Sequence, residues 1–331
     1  MYTPPFTISA HAINLIAEIS GQIERYAIRL EQSDAMKLRK ANRIRTIHSS
    51  LAIEGNTLSE DEVKDIIEGK TVIAPLRKIQ EVKNAIKTYE LYSSLNPFSV
   101  DDLLKAHGTM MMALTDDAGR FRRGGVGVFS EKGLVHMAPP ANRVPELIIN
   151  LFEWLKEAKD HLLIRSCVFH YEFEFIHPFS DGNGRTGRLW QSLILGKLHP
   201  LFEHLPVENM VYANQEAYYN AIQASTAAAN SGPFIDFMLQ EILDALKNHQ
   251  GSPLPQSEYS EVRDKVRVKF GISSGQIIEL IRHNSSITLD EIADTLSVTR
   301  RAIEKKIKEL RDAGYIRREG SNKSGCWVII E

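Results

Sequence analysis

Apolar residues recur every three or four positions along most of this chain, and that spacing restricts what the chain can fold into. Side chains three and four residues apart share one face of an α-helix, so the pattern predicts a mainly α fold. One predicted helix adds a capping box, with Ser59 as the cap and Glu62 three residues later. The helices predicted from this spacing cover residues 10–31, 36–54, 59–69, 76–94, 144–158, 162–176, 185–198, 215–229 and 233–248.

Two stretches interrupt the helical pattern. The first, FRRGGVGVFSEKGLVHMAPPANRVP at residues 121–145, is rich in glycine and β-branched residues. Two short runs inside it, 126–129 and 134–137, flank Ser-Glu-Lys-Gly, which predicts a β-hairpin. The second, residues 249–271, is polar and carries glycine and two prolines, which is typical of a linker.

The last sixty residues have a pattern of their own. Helical spacing returns at 274–283, 289–296 and 299–313, and GYIRREGSNKSGCWVII then alternates as two strands around a polar turn. Three helices followed by a two-stranded wing predict a winged helix-turn-helix. The predicted organisation is an N-terminal helical region at 1–98, a central core at 99–250, a linker at 251–271 and the winged helix-turn-helix at 272–331.

Composition excludes several classes of protein. Charged residues make up 25% and hydrophobic residues 43%, which is ordinary for a globular protein. The formal net charge of -2 gives no global field toward nucleic acid or a membrane surface. Cys167 and Cys326 form no ligand pattern, which predicts reduced thiols and a cytoplasmic location. No apolar run approaches the ~18 residues of a membrane span, so no membrane partner is expected.

Residues 176–188, IHPFSDGNGRTGR, fit several motifs. Residues 182–187 satisfy G-x-G-x-x-G, but a dinucleotide site needs a preceding strand, and here a helix is predicted. His170, Glu174 and His177 share one helix face and offer three zinc ligands, although Pro178 predicts that the helix ends there. His170 and Glu174 can equally satisfy each other. In a purely structural interpretation, residues 181 and 183 cap a helix and the glycines supply unusual dihedrals.

An anion site uses more of these residues. Gly182 and Gly184 let backbone N–H groups approach an anion, and the helix that follows directs its positive end to the same place. Arg185 and Arg188 fall in the first turns of that helix and can fork onto phosphate oxygens. Two cations at a helix N-terminus oppose its dipole, so an anion or a carboxylate is expected to complete the site.

Two further residues add chemistry to the anion site. Asp181 is a hard oxygen ligand suited to Mg²⁺ that arrives with phosphates. His177 is the side chain whose ordinary pKa best suits proton removal near neutral pH. Phe179, between them, is expected to point inward as an anchor. Together these residues predict transfer of a phosphorus group to a hydroxyl.

HPFSDGNGRTGR resembles the signature of the Fic (filamentation induced by cAMP) family, H-x-F-x-[D/E]-G-N-G-R-x-x-R, with every specified position filled. The resemblance spans residues 40–250 and implies a mostly helical fold that transfers AMP from ATP. It implies that His177 deprotonates a Ser, Thr or Tyr of a protein target and that Asp181 holds Mg²⁺. The nucleotide-binding residues it implies are Asp181, Gly182, Asn183, Gly184, Arg185, Thr186, Gly187, Arg188, Tyr218 and Tyr219.

The resemblance also assigns roles outside the signature. The hairpin corresponds to the family's flap, where a target segment can add as a β-strand. The flap residues are Leu134, Val135, His136 and Met137. Tyr218 and Tyr219 stand where the family places aromatic residues near adenine, with core packing as the alternative. Thr226 stands where an asparagine is expected as a polar partner of adenine.

SSLAIEGN, residues 49–56, ends a predicted helix with an acid in its last turn. Glu54 there faces the negative end of the helix dipole, at a cost of ~0.3–1 kcal/mol unless a cation or water answers it. The stretch resembles the Fic inhibitory motif, [S/T]-x-x-x-E-[G/N], with Ser50, Glu54 and Gly55 in place. The resemblance implies that Glu54 pairs with Arg188 and removes the partner of the γ-phosphate. Autoinhibition is therefore expected.

The last predicted helix and wing are rich in basic residues. From Gly271 onward, however, ten Lys and Arg face nine Asp and Glu, a weak electrostatic signal for nucleic acid. Winged helices bind DNA or proteins, and both alternatives stay open. The basic residues are Arg300, Arg301, Lys305, Lys306, Lys308, Arg311, Arg317, Arg318 and Lys323.

Three alternatives to AMP transfer stay open. The chain is compatible with a DNA-binding regulator whose Fic fold senses nucleotide without turnover. It is also compatible with removal of AMP, with Glu54 positioning a water, and with transfer of another phosphate-linked group. The resemblance makes a homodimer a further expectation.

Overall fold

The computed structural model forms two compact units, Met1–Gly251 and Ser252–Glu331. It describes residues 2–30, 35–130, 133–203, 205, 207–248, 266, 272–283, 285, 287–296, 298–319 and 326–330. The predicted linker at 251–271, apart from Val266, and the wing turn with Lys323 lie outside the described residues.

The first unit is a helical assembly with one hairpin, as the apolar spacing predicts. Short 3₁₀ turns lie at Tyr92–Ser94, Ala141–Arg143 and Pro200–Glu203. Its helices are α1 (Ala10–Leu30), α2 (Ala35–Ile53), α3 (Glu60–Ile67), α4 (Leu76–Glu90), α5 (Val100–Met110), α6 (Val144–Glu157), α7 (Leu162–Ile176), α8 (Asn183–Gly196), α9 (Val207–Ala213), α10 (Gln215–Ala228) and α11 (Gly232–Asn248).

α7 is the central element of this unit. Phe169 and Phe173 on α7 are fully buried, and the helix packs against α6, α8 and α11. Its apolar side chains surround the helix instead of forming one stripe, which is typical of a helix enclosed on most sides. The carboxyl end of α7 and the amino end of α8 are consecutive in sequence, so the core holds the two helix ends next to each other.

The local signals explain most helix ends. Ser59 accepts from the Glu62 N–H and Glu62 accepts in return, which confirms the predicted capping box of α3. α5 is absent from the prediction, although Ser99 caps it by accepting from the Asp102 N–H. α9 was likewise not predicted, and α8 begins at Asn183, two residues before its predicted start.

The hairpin consists of β1 (Gly127–Ser130) and β2 (Gly133–Met137) in an antiparallel pair. Gly127 pairs with Met137 and Ser130 with Gly133, with a register shift after Val128. The two residues at its tip, 131 and 132, lie outside the described part. The strands thus agree with the two runs that the sequence predicts, and Met137 is exposed.

The second unit contains α12 (Ile272–His283), α13 (Leu289–Thr295), α14 (Arg300–Asp312), β3 (Ile316–Glu319) and β4 (Cys326–Ile329). The strands pair antiparallel, with Ile316 opposite Ile329. Ile277, Ile303 and Trp327 belong to its separate apolar core. Three helices and a two-stranded wing confirm the predicted fold class. In neither unit does a described helix combine the length and apolar character needed to cross a bilayer.

Candidate active site at the start of α8

His177 ends α7 in an uncommon backbone conformation. Its φ of 50° and ψ of 64° lie in the left-handed region, and its N–H donates to the Phe173 carbonyl at 2.9 Å. The ring Nδ1 lies 3.3 Å from the Glu174 carbonyl oxygen. Because a carbonyl only accepts, Nδ1 must carry the proton there, and in a neutral ring the basic lone pair is then on Nε2.

Buried side chains hold the loop that follows His177. Phe179 is fully buried, as expected for an anchor, and the His107 ring stacks on it with centroids 3.6 Å apart. The Asn183 amide oxygen accepts from the Phe179 N–H at 2.9 Å, and its NH₂ donates to the Phe179 carbonyl at 2.8 Å. The hypothesis that residues 181 and 183 cap α8 is therefore wrong. The cap residue is Gly182, with no side-chain capping bond.

The glycines at the start of α8 are required by close neighbours. Gly182 has a φ of 83°, and a Cβ there would lie 2.6 Å from the Met111 sulfur. A Cβ on Gly184 would clash with the Glu54 carboxylate. The start of α8 thus lacks side chains at the place where the Glu54 carboxylate approaches its backbone. A negative group at a helix N-terminus is favoured by both the free N–H groups and the dipole.

The next two residues of the signature face inward. Thr186 is buried, and its hydroxyl donates to the Gly182 carbonyl at 2.8 Å. A Cβ on Gly187 would lie 2.7 Å from Glu174 Oε1, so this glycine permits the close packing of α8 on α7. These two residues therefore hold the start of α8 in place through contacts with Gly182 and α7.

Glu54 and Arg188 form an ion pair across the molecule, with Glu54 Oε1 and Arg188 Nη2 2.8 Å apart. The Arg188 side chain is only 3% exposed, and it also donates to the Ser50 carbonyl at 2.9 Å and to the Ser50 hydroxyl at 3.3 Å. Burial alone would lower the pKa of Arg188, but the Glu54 charge and hydrogen bond raise it above its ordinary value. Arg188 is the cation that the dipole argument requires near Glu54.

Glu54 follows the last residue of α2 instead of lying inside its last turn. The Gly55 N–H donates to the Ala52 carbonyl at 2.9 Å and the Asn56 N–H to the Leu51 carbonyl at 3.0 Å. This is the Schellman arrangement, and the φ of 79° at Gly55 completes it. Glu54 is thus the C-cap residue, held in place by the helix end itself.

The other arginine of the signature, Arg185, also has a carboxylate partner. Arg185 Nη2 lies 2.8 Å from Asp181 Oδ1, and Arg77 of α4 lies 3.6 Å from Asp181 Oδ2. Asp181 Oδ1 also accepts from the Gly182 N–H at 2.6 Å. Both cations at the start of α8 are therefore answered by acids, as the sequence argument expects.

Glu174 is a second acid near Arg188. Burial raises its pKa to about 8, and Arg188 only partly opposes that shift. Its Oε1 is buried and has no hydrogen-bond partner among the described residues. Near neutral pH this carboxyl is therefore mostly protonated, which leaves Glu54 as the charged partner of Arg188.

The zinc and dinucleotide hypotheses are wrong. His170 is fully buried, with Nδ1 2.6 Å from Gln191 Oε1 and Nε2 3.0 Å from the Tyr218 hydroxyl, so Glu174 is not its partner. The described residues contain no cluster of three metal-ligating side chains. The element before Gly182 is α7, a helix and not the strand that a dinucleotide site needs.

The aromatic residues after the signature are differently exposed. Tyr218 is 2% exposed and bonded to His170, which favours core packing, whereas Tyr219 is only partly buried. Thr226 donates to the Ile222 carbonyl at 2.9 Å and lies 3.2 Å from the Tyr171 hydroxyl. Tyr219 is thus the better placed of the two tyrosines to meet a ligand.

Two residues that support the site were missed in the sequence. His107 Nδ1 accepts from the Gly119 N–H at 2.9 Å, so its Nε2 donates to the Asp181 carbonyl at 3.0 Å. Burial lowers the pKa of His107 to about 4, which keeps this ring neutral. Arg122 donates to the His177 carbonyl at 2.7 Å. The cap at Ser99 could have revealed the helix of His107, but no sequence signal marks Arg122.

Comparison with known proteins is consistent with this geometry. Residues 97–195 match the model of the Fic/DOC family, and residues 275–325 match an HTH domain model. The protein adenylyltransferase fic-1 of Caenorhabditis elegans is 30% identical over 254 residues, 67% of this chain and 47% of that protein. The chain thus spans about half the length of the curated relatives it matches.

Solved structures extend the likeness. A fragment of C. elegans Fic-1 aligns with a TM-score of 0.58 at 21% identity over 72% of each chain, which shows the fold alone. A Fic family protein from Desulfovibrio desulfuricans G20 aligns with a TM-score of 0.72 at 39% identity, over 99% of this chain and 98% of that one. On this near full-length similarity and the filled signature at His177–Arg188, the chain belongs to the Fic family.

Proposed function

We propose that this chain is a protein adenylyltransferase that moves AMP from Mg-ATP to a Ser, Thr or Tyr hydroxyl of a protein, itself included, and that Glu54 inhibits it. One observation carries the proposal. The Glu54 carboxylate already lies against Gly184 at the start of α8, 2.8 Å from Arg188. A place that accepts a carboxylate in this way suits phosphate oxygens. Relatives named protein adenylyltransferase support the class of reaction.

The reaction needs a base, an anion cradle and a leaving group. The target hydroxyl gives its proton to His177 Nε2, and its oxygen attacks the α-phosphorus of ATP. The new P–O bond forms as the bond to the β-phosphate breaks, and pyrophosphate leaves with the electron pair. Arg185 and Arg188 would hold the leaving phosphates, while N–H groups at the start of α8 stabilise the developing charge.

Asp181 fits a role as the Mg²⁺ ligand. Its side chain is 41% exposed, and among the residues that the structure describes Oδ2 contacts only Arg77, at the loose distance of 3.6 Å. A single carboxylate combined with substrate phosphates is the usual setting for Mg²⁺ in proteins. When bound, the ion would neutralise phosphate charge and polarise the reacting phosphorus.

Inhibition follows from competition for Arg188. While Glu54 occupies the guanidinium, a terminal phosphate lacks its cation and meets a like charge beside Gly184. Glu54→Gly would remove both obstacles. The helix end would remain, because the Gly55 and Asn56 bonds that form it use backbone atoms only.

The test compares wild type, Glu54→Gly and Glu54→Gly/His177→Ala, each incubated with Mg-ATP. Intact mass spectrometry and transfer from labelled ATP to proteins of a cell extract are the two readouts. We expect added AMP with Glu54→Gly, much less with wild type, and none with the double variant. Absence of transfer by Glu54→Gly in both readouts would overturn the proposal. If wild type strips AMP from the modified protein, removal of AMP becomes the better assignment.

The cytoplasmic location and the homodimer also belong to this proposal. Cell fractionation tests the location, and sedimentation of the purified chain tests the dimer. A membrane-bound fraction would contradict the first, and a monomer at micromolar concentration the second.

A second candidate function, DNA binding, is favoured by the HTH domain match. Arg301, Lys305 and Lys308 on α14 are exposed, and no ion pair involves them within the described residues. Such cations are available to phosphates. A gel shift with genomic fragments at low and moderate salt, using Arg301→Ala/Lys305→Ala, tests it. Arg300→Ala is the matched control, because Asp290 and Glu304 already pair with that arginine.

A further inference from the structure

We propose that Arg122 is a positioning residue that holds the hairpin in a fixed relation to His177. The inference rests on the proposed function, in which the hairpin presents the target hydroxyl and His177 takes its proton. Arg122 lies outside the signature, between α5 and β1.

Arg122 joins two separate parts of the site. Toward α7, Nε donates to the His177 carbonyl at 2.7 Å and Nη2 to the Ile176 carbonyl at 3.3 Å. Toward the hairpin, Nη1 donates to the Gly124 carbonyl at 2.8 Å and Nη2 to the Pro139 carbonyl at 2.6 Å. Those two carbonyls lie just before β1 and just after β2. One planar guanidinium thus connects the segment before β1 and the segment after β2 to the end of α7.

The positive charge of Arg122 is stabilised by backbone carbonyls and not by a carboxylate of the described residues. The residue is 2% exposed, and none of the described carboxylates forms an ion pair with it. Instead, its four hydrogen-bond partners among the described residues are backbone carbonyls, and two of them belong to the carboxyl end of α7, the negative end of the helix dipole. Guanidinium has five N–H donors in a rigid fork, which suits several acceptors in one plane.

The contact with His177 matters for its geometry. A left-handed conformation is costly for a non-glycine residue and persists only where its surroundings fix it. The Arg122 side chain donates to the His177 carbonyl, and the Arg122 backbone N–H donates to the Pro178 carbonyl at 2.9 Å. These two bonds hold the backbone of His177 in that conformation. Without these bonds the imidazole and the hairpin can move independently. A misplacement of about 1 Å lowers a rate by roughly 100-fold.

The test uses the Glu54→Gly chain with Arg122→Lys or Arg122→Gln added. Lys keeps the charge but lacks the planar fork of five donors, and Gln is shorter and neutral, so neither is expected to reproduce all four bonds. We expect the transfer rate to fall at least ~10-fold, with affinity for Mg-ATP within ~2-fold, because Arg122 contacts none of the phosphate-binding residues. Arg123→Lys, an exposed neighbour, is the matched control and should leave both values unchanged.

A second readout does not depend on the reaction. Hydrogen exchange followed by mass spectrometry should show faster exchange at residues 124–139 and 176–178 with Arg122→Lys, but not with Arg123→Lys. Unchanged exchange, or an unchanged transfer rate, would overturn the inference, as would global unfolding of both Arg122 variants. If Glu54→Gly itself transfers nothing, the proposed function fails, and exchange still decides whether Arg122 couples the two segments.

Discussion

Two helices of this molecule, α8 and α14, carry arginines in their first two turns, and the surroundings of those arginines differ. In α8, Arg185 and Arg188 are each 4% exposed, whereas Arg300 and Arg301 of α14 are exposed. Cations near a helix N-terminus oppose its dipole in both cases. Glu54, which answers Arg188, comes from a position 134 residues earlier, while Arg300 pairs with its near neighbours. The first pair links distant elements, and the second stays local.

The difference decides what each pair can do. Around Arg188 water is largely excluded, so electrostatic interactions are strong and an unpaired charge is costly. Replacing Glu54 by another anion at Arg188 would then change the free energy little. Leaving Arg188 with no anion at all would raise the free energy considerably. On α14 water screens the charges, and a broken pair is readily replaced by solvent. Of the two arrangements, the buried one suits the proposed inhibition, in which an incoming anion would displace Glu54 from Arg188.

The largest expected effect is on the buried pair. Arg188→Ala should lower the free energy of unfolding of the first unit by roughly 3–5 kcal/mol, because it leaves Glu54 and the Ser50 carbonyl without their donor. Calorimetry of the full chain measures this, and Arg188→Lys, which keeps the charge, should lose less. A loss under ~1 kcal/mol would mean that the pair behaves as a surface pair.

The pH dependence of stability depends on Glu174, the second acid near Arg188. The pKa of Glu174 is raised from 4.5 to about 8 by burial, so between those values the folded state keeps a proton that the unfolded state releases. Stability therefore falls as pH rises from 4.5 to 8, by at most about 1.4 kcal/mol for each pH unit. Glu174→Gln should remove that decline.

The measurement is the difference in unfolding free energy between wild type and Glu174→Gln from pH 5 to 8. Other buried acids, such as Glu208 with a pKa raised to about 7, contribute to both proteins and cancel in the difference. A difference that stays constant with pH would show that Glu174 is charged in the folded protein.

The sequence predicts the two regions unequally well. Apolar period and caps locate α14 and its wing, since those signals are local. The pairing of Glu54 with Arg188 came only from the family resemblance, because no local rule links residues 134 positions apart. His107 and Arg122 were not predicted from the sequence, because they bond to backbone carbonyls and N–H groups of other segments. Nearly every residue type has these backbone groups, so the sequence does not mark such partners.

The smallest expected effect is at the start of α14. Arg300→Ala should change the unfolding free energy of the second unit by less than ~1 kcal/mol, because Asp290 and Glu304 are exposed and water replaces the lost partner. Calorimetry at low and high salt measures it, and added salt should reduce the effect further. A loss as large as that of Arg188→Ala would remove the distinction between the helices. Burial would then not be what makes the Glu54–Arg188 pair strong, and its suitability for inhibition would need another physical cause.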